Sequence, residues 1–496
     1  MDIDTIRNVL PIVLIAAFAL CCPAVDFAVK KKRVVGYWSV SALVLALAYV
    51  VLSLAGVLAY GKGTTLFSGM LMVDSFSLFF AMVFISVALL VVLASLTYIK
   101  PDEPHQGEYY MLLLLATVGM LIVASAADLI TIFVGLELGS ISTYALVAFR
   151  KKDGKGAEAA MKFFIIGAFS SAILLYGISL VYGAAGSTNL SAIAKALAGG
   201  NSLLTLAIIF IIAGFGFKVA SVPFHMWLPD TYEGAPTTIT AFLAAASKKM
   251  GFAALFKVFF IALIALKADW TLAFGILAVL TMTFGNVIAV SQKSVKRMLA
   301  YSSIAQAGYI MIALAVTNAL TGGLMHVFTH AFMKAGAFIA VASIASLAGG
   351  ENIESYAGLS KRAPVTAFAM TLFLLSLAGI PPLAGFVSKF VIIMGAVSAG
   401  WTGVYLALAL VLNSVLSLYY YARVIKYMYV VQPTGSTQTS TLTCRETTTG
   451  STTTSEKNLF TVAIVICAIV ILVLGIYPEP LINIATGAAK ALIGFA

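Results

Sequence analysis

Five ionisable residues lie within stretches of this chain that are apolar enough to cross a lipid bilayer. They are one glutamate and four lysines: Glu137, Lys218, Lys248, Lys334 and Lys389. An ionisable side chain at the bilayer centre costs about 2.5–3.5 kcal/mol on insertion scales, so such residues usually mark a path for protons or ions. The sequence therefore predicts a membrane protein whose buried charges take part in transport.

The composition supports the membrane class. Of the 496 residues, 61% are hydrophobic and only 10% are charged, whereas soluble domains carry about 25% charged residues. Apolar runs of about 20 residues, the length that a spanning helix needs, recur from end to end, and we expect an all-α integral membrane protein with fourteen spans. Their predicted ranges are 9–28, 36–60, 72–98, 109–127, 129–149, 160–184, 203–223, 236–266, 270–290, 300–317, 320–348, 364–398, 402–430 and 459–477.

Basic residues concentrate in alternate predicted loops. The clusters occupy 30–33, 150–152, 293–297, 361–362 and 423–426, within a chain of net charge +11. Cytoplasmic loops carry the excess of lysine and arginine in membrane proteins, so both termini are predicted to lie outside a multi-pass protein of the cell membrane. The positive charge is thereby explained by topology, and nucleic-acid binding is not expected.

Two predicted spans contain residues that break helices. Glycines and prolines surround Lys218 in span seven (IIAGFGFKVASVPFHMW) and precede Lys389 in span twelve (LAGIPPLAGFVSKF). Proline removes a backbone donor and disrupts the preceding turn, and broken helices at corresponding places in two halves point to a transport site. Because the two spans are five apart, we expect two inverted five-helix repeats with discontinuous helices 7 and 12. Ordinary proline kinks with snorkelling lysines are the alternative.

This pattern divides the chain into five segments. A three-helix N-terminal segment (1–108) is followed by a first five-helix repeat (109–268) and a second (269–430). A Thr/Ser-rich segment (431–458) is expected to be a flexible loop on the inner side, and a C-terminal helix and tail (459–496) complete the chain.

A carboxylate in span five requires a cation. Glu137 lies near the middle of LITIFVGLELGSISTYALVAF, and Lys218 from the broken span seven is the expected partner. Separating such a pair, by a moving helix or an arriving proton, favours the neutral lysine and so makes a proton switch. A static structural ion pair is the alternative.

Span eight carries three lysines with different expected positions. Lys248 and Lys249 are adjacent and therefore point about 100° apart on a helix, so only one is expected to face the bundle interior easily. Lys257 lies more than two turns further on and is expected to snorkel toward the outer interface.

Span eleven contains a stripe of titratable side chains. His326, His330 and Lys334 follow one another at intervals of four residues, which places them on one helix face. Histidine gives and takes protons near neutral pH, so the stripe suits a relay, with Lys389 as the last cation before the exit side. Metal binding by the two histidines is the alternative. The four cysteines form no CxxC pair, and no metal or redox cofactor is expected within the chain.

Several strings resemble the antiporter-like subunits of respiratory complex I and of multisubunit sodium/proton antiporters. The similarity covers about residues 70–430, and its most specific strings are KVASVPFHMWLPDTYEGAPT (218–237), KSVKRMLAYSSIAQAGY (293–309) and GIPPLAGFVSKF (379–390). GLELGSISTYAL (135–146) is similar to the glutamate helix of that family, and SKKMGFAAL (247–255) to its eighth helix. Within the family the chain looks most like the N-type subunit, NADH-quinone oxidoreductase subunit N.

The resemblance implies a fold and a set of roles. It implies inverted five-helix repeats, and it implies that Glu137, Lys218, Lys248 and Lys389 carry the proton path, with the SK-x-x-G-F pattern favouring Lys248 over Lys249. It also implies that this chain is a membrane subunit of an oxidoreductase, with electron transfer by flavin and iron–sulfur clusters in partner subunits. The histidine stripe looks more like the L-, M- and antiporter-type relatives.

Three parent complexes fit this resemblance. They are an archaeal dehydrogenase that oxidises reduced deazaflavin and reduces methanophenazine, a bacterial quinone-reducing complex, and a membrane-bound hydrogenase. A subunit of a sodium/proton antiporter without redox partners is one functional alternative. A passive scaffold is another, although the retained intramembrane charges disfavour it because each costs stability.

Overall fold

The computed structural model describes residues 3–58, 63–100, 103–150, 153–197, 203–348, 350–432 and 454–494. Helices occupy nearly all of these residues, because a helix satisfies its backbone hydrogen bonds internally, as a segment in lipid must. Most of the Thr/Ser-rich segment that the sequence predicts to be a flexible loop, residues 433–453, lies outside the described residues.

The N-terminal segment has three long helices and one small hairpin. Asp74 begins the third helix, because its carboxylate accepts the backbone N–H of Ser77 while the Ser77 hydroxyl accepts the N–H of Asp74. This reciprocal capping fixes the turn between hairpin and helix. The elements are α1 (Ile3–Ala28), α2 (Arg33–Leu54), the antiparallel strands β1 (Thr64–Leu66) and β2 (Leu71–Val73), and α3 (Ser75–Tyr98).

The first repeat continues with eight helices, several of them short. They are α4 (Gln106–Ser125), α5 (Leu129–Val147), α6 (Gly154–Ala185), α7 (Leu190–Ala196), α8 (Leu203–Val219), α9 (Trp227–Gly234), α10 (Thr237–Phe242) and α11 (Lys248–Lys257). π-Helical turns at Leu243–Ser247 and Val258–Ala262 flank α11. A short 3-10 turn, Ile264–Leu266, leads into the second repeat.

The second repeat and the C-terminus add nine helices. They are α12 (Lys267–Ser291), α13 (Val295–Ala315), α14 (Leu320–Ala348), α15 (Leu359–Arg362), α16 (Pro364–Ala378), α17 (Ala384–Val397), α18 (Trp401–Tyr429), α19 (Thr454–Ile476) and α20 (Glu479–Ile493). The predicted C-terminal tail is thus largely helical, and α20 packs against α3 and α14. Short 3-10 turns lie at Thr317–Ala319 and Ile353–Tyr356.

Among the described residues, twelve helices are long and apolar enough to cross a membrane. Three shorter apolar helices, α8, α16 and α17, lie where the sequence predicts broken spans seven and twelve. The all-α membrane class is confirmed, and the count of fourteen spans stays a prediction.

Both predicted helix breaks are present. Helix α8 ends at Val219, where Ala220 adopts a positive φ of 53° ahead of a cis peptide bond at Val222–Pro223. Helix α16 ends at Gly379, whose φ of 93° belongs to the left-handed region that glycine tolerates best. Each break frees backbone carbonyls next to a buried lysine.

Matching backbone contacts show the inverted repeats. Near the start of α5, Leu129 N–H donates to the Thr188 carbonyl and Leu190 N–H to the Ala127 carbonyl. The start of α13 repeats this pattern, with Val295 N–H bonded to the Glu351 carbonyl and Ile353 N–H to that of Lys293. An odd number of crossings, five, separates the two starts along the chain, so the second contact lies at the opposite end of the bundle.

The least apolar spans are the most deeply buried. The span 237–262 around α11, together with α13 and α14, has few exposed residues, while α2, α6, α12 and α18 line the outside. Polar side chains are tolerated in these inner helices because other helices surround them. We call the end of the molecule that carries Lys30, Arg150 and Lys293 the basic end.

Candidate functional site

Glu137 and Lys218 lie close together, as the sequence predicts. The Lys218 ammonium is 3.9 Å from Oε1 of Glu137 and donates a hydrogen bond to the Ser140 hydroxyl, one turn along α5 from the glutamate. The Ser171 hydroxyl of α6 donates to the same carboxylate oxygen at 2.6 Å. Glu137 keeps 25% of its side chain exposed, while Lys218 keeps 8%. The pair is close enough to interact but open enough to separate.

The broken helix holds Lys218 against the helix that carries the next lysines. A Cβ placed on Gly251 of α11 would lie 3.1 Å from Lys218 Cβ, tighter than an ordinary van der Waals contact, so glycine favours this close approach. Gly251 is three residues from Lys248, which places Lys248 one turn away on the same face. Helix α11 thus packs directly against the end of α8 that carries Lys218.

Both lysines at the start of α11 are buried, which corrects the expectation that only one of them faces the interior. Lys248 donates to the backbone carbonyl of Ser303 at 2.8 Å. Lys249 donates to the carbonyl of Ala244 at 2.9 Å and to Nδ1 of His330. The interior surrounds the span on all sides, and the π-helical turn before it leaves carbonyl groups free to accept. Lys249 is therefore a site residue that the sequence pattern did not single out.

A chain of contacts leads from Lys249 into the second repeat. The rings of His330 and His326 stack with centroids 5.9 Å apart. Nε2 of His326 lies 2.8 Å from the side-chain oxygen of Gln306, whose amide nitrogen donates to the Leu377 carbonyl at 3.0 Å. Three of the four ring nitrogens contact protein groups, whereas Nε2 of His330 is buried without a hydrogen-bond partner among the described residues. Those residues contain no group of three or more His, Cys, Asp or Glu side chains that could hold a metal ion, so the two histidines suit a relay better than a metal site.

The series of contacts ends at Lys389, beside the second helix break. Its ammonium donates to the carbonyls of Leu377 and Ala378 at 2.8 and 3.1 Å, and to the Ser414 hydroxyl at 3.1 Å. These carbonyls lack helical partners because α16 ends there. The preceding residue, Ser388, lies 2.9 Å from Nδ1 of His326. Lys389 and His326 are therefore held side by side.

Lys334 lies on the predicted stripe of α14, but its hydrogen bonds lead away from the series of contacts that joins Lys249 to Lys389. Its ammonium donates to the carbonyl of Leu299 at 2.8 Å and to the Ser302 hydroxyl at 2.9 Å. Ser302 in turn bonds to the Tyr421 hydroxyl. Lys334 is thus a buried side branch between α14 and α13 and does not lie between His330 and Lys389.

The expectation that Lys257 snorkels to the membrane surface is wrong. Its side chain is fully buried, and its ammonium donates to the Ala126 carbonyl at 2.8 Å and lies 5.7 Å from the ring centre of Phe76. The end of α4 and the start of α3 cover it. Spacing along one helix could not show that neighbouring helices close over this position.

The sequence pattern did not single out three residues that take part in these contacts. Ser140 bridges to Lys218, Gln306 bridges to His326, and Lys249 contacts His330. A signal existed for Gln306, since an amide inside an apolar run is costly without partners. Serine gives no such signal, because it can bond to its own helix, as Ser140 does to the Leu136 carbonyl.

Some buried polar atoms near Lys248 have no hydrogen-bond partner among the described residues. They are the hydroxyls of Tyr232 and Ser303 and Nδ1 of His225. Tyr232 and Ser303 are close enough to interact, although their geometry falls short of a well-formed hydrogen bond. Buried polar atoms of this kind are usually satisfied by internal water.

Ion pairs tie α9 to α13 and α6 at the basic end. Arg297 bonds to Asp230 at 2.9 Å and to Glu233 at 2.6 Å, and Lys162 bonds to Asp230 at 2.9 Å. Partial burial raises the pKa of Asp230, but the hydrogen bonds from Lys162 and Arg297 outweigh it and lower that pKa overall. The string WLPDTYEG thus anchors the basic end of the first broken span.

Comparisons with known proteins show which family the chain resembles. Residues 126–417 match the model of the NADH:quinone oxidoreductase/Mrp antiporter transmembrane family. The chain is 46% identical to F(420)H(2) dehydrogenase subunit N of Methanosarcina mazei, with 94% of each protein covered. It is 43% identical to NADH-quinone oxidoreductase subunit N of Moorella thermoacetica, covering 88% of this chain and 90% of the relative.

A solved structure shares the fold. A chain of respiratory complex I from Thermus thermophilus with bound aureothin superposes with a TM-score of 0.77 at 30% identity, covering 95% of this chain and 98% of that one. The family model spans more than half of the chain, and the relatives align over nearly its full length. The chain belongs to the NADH:quinone oxidoreductase/Mrp antiporter transmembrane family.

Proposed function

We propose that this chain is the proton-translocating membrane subunit of a complex I-like, redox-driven pump. The observation that carries the proposal is the series of buried contacts from Lys249 through His330, His326 and Gln306 to Lys389. Lysines enclosed by protein at membrane depth are costly, and here each contacts a group that can accept a proton or hold the amine. The names of its relatives, subunits N of dehydrogenases, favour a redox-driven complex over an antiporter without redox partners.

The proton steps follow the order of contacts. Protonated Lys218 is stabilised by Glu137, so opening that pair favours release of a proton to a neutral amine on α11. Lys249 then passes a proton to Nδ1 of His330, and Nε2 of His330, which has no hydrogen-bond partner among the described residues, releases its proton through water toward His326 and Lys389. Each group that gives up a proton accepts another one in the next cycle, so the net charge of this series of residues is restored. Ser140, Gln306 and Ser388 position these groups and do not titrate themselves.

Partner subunits supply the driving force in this proposal. Flavin and iron–sulfur clusters belong to those subunits, and the electron acceptor is a quinone or a related membrane carrier such as methanophenazine. Redox-driven movement reaches this chain at the Glu137–Lys218 pair. The complex lies in the cell membrane, with the basic end of this chain facing the cytoplasm.

The exposure of Glu137 indicates where a partner binds. Its side chain opens onto a face whose other exposed residues are apolar, among them Val134, Ile141, Phe169 and Ile173. A carboxylate facing lipid is strongly disfavoured. We propose that another membrane subunit covers this face of α5 and α6. Its movement and the separation of Glu137 from Lys218 are then coupled.

The test is proton uptake by vesicles that hold the purified whole complex, supplied with donor and acceptor. Replacing Lys218 by Ala or Glu137 by Gln should collapse the proton gradient formed per electron transferred, because the first donor or its counter-ion is lost. Lys195→Ala, an exposed lysine on α7, is the matched control and should pump normally. An undiminished gradient in Lys218→Ala would refute the proposed function. Uptake that required sodium would favour the antiporter alternative.

A further inference from the structure

A polar cavity opens at the basic end, where several segments of the chain meet. It has a volume of about 180 Å3, and its lining includes Tyr98, Arg150, Asp153, Glu233, Lys296 and Glu351. The segments are the ends of α3 and α5, the α9–α10 turn, the start of α13 and the stretch after α14. Three carboxylates and two cations face a space large enough for several water molecules.

A buried lysine forms the floor of this cavity. Lys296 is only 3% exposed, and its ammonium donates to the Ala235 carbonyl at 2.8 Å and to Oε1 of Glu351 at 3.3 Å. The Thr237 hydroxyl also points at Glu351, at 3.5 Å. Glu351 keeps 31% of its side chain exposed. The Glu351 carboxylate is therefore in contact both with solvent and with the buried side chain of Lys296.

Helix α13 connects Lys296, on the cavity floor, to the residue that binds Lys248 in the interior. Lys296 and Ser303 are seven residues apart on α13, which places them on one face about 10 Å apart along the axis. The Ser303 carbonyl accepts the Lys248 ammonium. The hydroxyls of Ser303 and the fully buried Tyr232 lie near each other, and neither makes a well-formed hydrogen bond to a described residue. Such hydroxyls hold water in a buried polar site.

We propose that this cavity is the site where protons enter the chain from the basic side, with Glu351 as the loading group. The Glu351 carboxylate takes a proton from a solvent hydronium ion, and water is released. The neutral acid passes the proton inward along the Tyr232 and Ser303 hydroxyls and the water between them, and the neutral amine of Lys248 accepts it. The carboxylate is thereby restored, and Lys296 pairs with it again. This inference rests on the proposed function and adds an entry site to it.

Two substitutions and one control test the entry site in vesicles that hold the whole complex. Glu351→Gln should slow proton uptake about tenfold, less than the ~10²-fold that a positioned proton-transfer group can contribute, because water replaces part of the path. Glu354→Gln removes an exposed carboxylate three residues away that does not line the cavity, and it should match wild type. Equal uptake in the two variants would overturn the proposal.

Tyr232→Phe gives an answer even if Glu351→Gln fails to assemble. It removes a buried hydroxyl that makes no well-formed hydrogen bond to a described residue, so the melting temperature should change little. Slower uptake without loss of stability supports the entry path, and normal uptake overturns it. Lys218→Ala separates the two proposals: if it abolishes uptake while Tyr232→Phe and Glu351→Gln do not, only the entry site is refuted. If Lys218→Ala pumps normally, the proposed function itself is refuted.

Discussion

The ammonium of Lys249 donates a hydrogen bond to Nδ1 of His330, and this contact joins α11 of the first repeat to α14 of the second. Lys248, the neighbour that the family pattern favours, turns instead to the Ser303 carbonyl. The two adjacent lysines thus have different partners: Lys248 bonds to the Ser303 carbonyl of α13, and Lys249 contacts His330 of α14. This division predicts that the two residues are not interchangeable.

Replacing Lys249 by Met should reduce coupled proton uptake about tenfold, and His330→Gln should have a similar effect, because each removes one side of a transfer step. The double variant should be no slower than the slower single variant, since both interrupt one step. Proton uptake by vesicles holding the complex measures all three. Effects that multiply would show that the two residues act independently.

Lys249→Arg distinguishes proton transfer from mere positive charge at the same position. A guanidinium stays protonated at any ordinary pH, so this variant keeps the charge but should still lose uptake. Wild-type uptake in Lys249→Arg would mean that only the charge matters. The melting temperature of each complex verifies that the larger side chain is accommodated.

Ser171→Ala should weaken coupling less than Glu137→Gln does. The serine hydroxyl holds the carboxylate at 2.6 Å, and a hydrogen bond to a charged group contributes about 1.5–3 kcal/mol, but the carboxylate itself remains. Ser179→Ala on the same helix is the control, because Ser179 is exposed and bonds to the Tyr176 carbonyl in its own helix. We expect an intermediate proton-to-electron ratio for Ser171→Ala, and a ratio equal to that of Ser179→Ala would contradict the orienting role.

Gly379→Ala should impair Lys389 beyond its cost in stability. The φ of 93° would strain alanine by about 1–2 kcal/mol, and the new Cβ would lie 3.1 Å from Cδ of Lys389. Gly186→Ala is a matched control, since Gly186 also ends a helix in the left-handed region, with a φ of 67°, and a Cβ there meets nothing within 4 Å. Melting temperatures should fall similarly in both, while only Gly379→Ala should lose proton uptake. Loss in both variants would point to backbone strain alone.

Asp230→Asn should destabilise the complex without changing the proton-to-electron ratio. Because Arg297 and Lys162 lower the pKa of Asp230 from its ordinary value of 3.8, its stabilising effect is present above that value and is lost as the pH falls through the lower folded pKa. The difference in melting temperature between wild type and variant should therefore be largest near neutral pH and shrink toward pH 3. A difference that persisted undiminished in acid would contradict the ion-pair explanation.

The sequence alone determined the membrane class, the two broken helices and most of the buried charges. These features are local: an apolar run fixes a span, and proline and glycine break a helix wherever it lies. Glu137 and Lys218 could be paired from the sequence because an unpaired charge in lipid is too costly to leave alone. The inverted arrangement followed because the two broken spans are five apart, and an odd number of spans per repeat inverts the second repeat against the first.

Only the tertiary structure decided which groups meet. Gln306 and His326 are 20 residues apart on different helices, and nothing local in their sequence shows that they touch. Lys257 was expected at the membrane surface, but neighbouring helices bury it. Lys334 was expected between the histidines and Lys389, but it bonds instead to the Leu299 carbonyl and the Ser302 hydroxyl of α13. Burial and hydrogen bonding depend on the surfaces that pack around a helix. The sequence pattern along one helix can therefore indicate which residues are candidates for the site, but only the packing of several helices determines which of them are in contact.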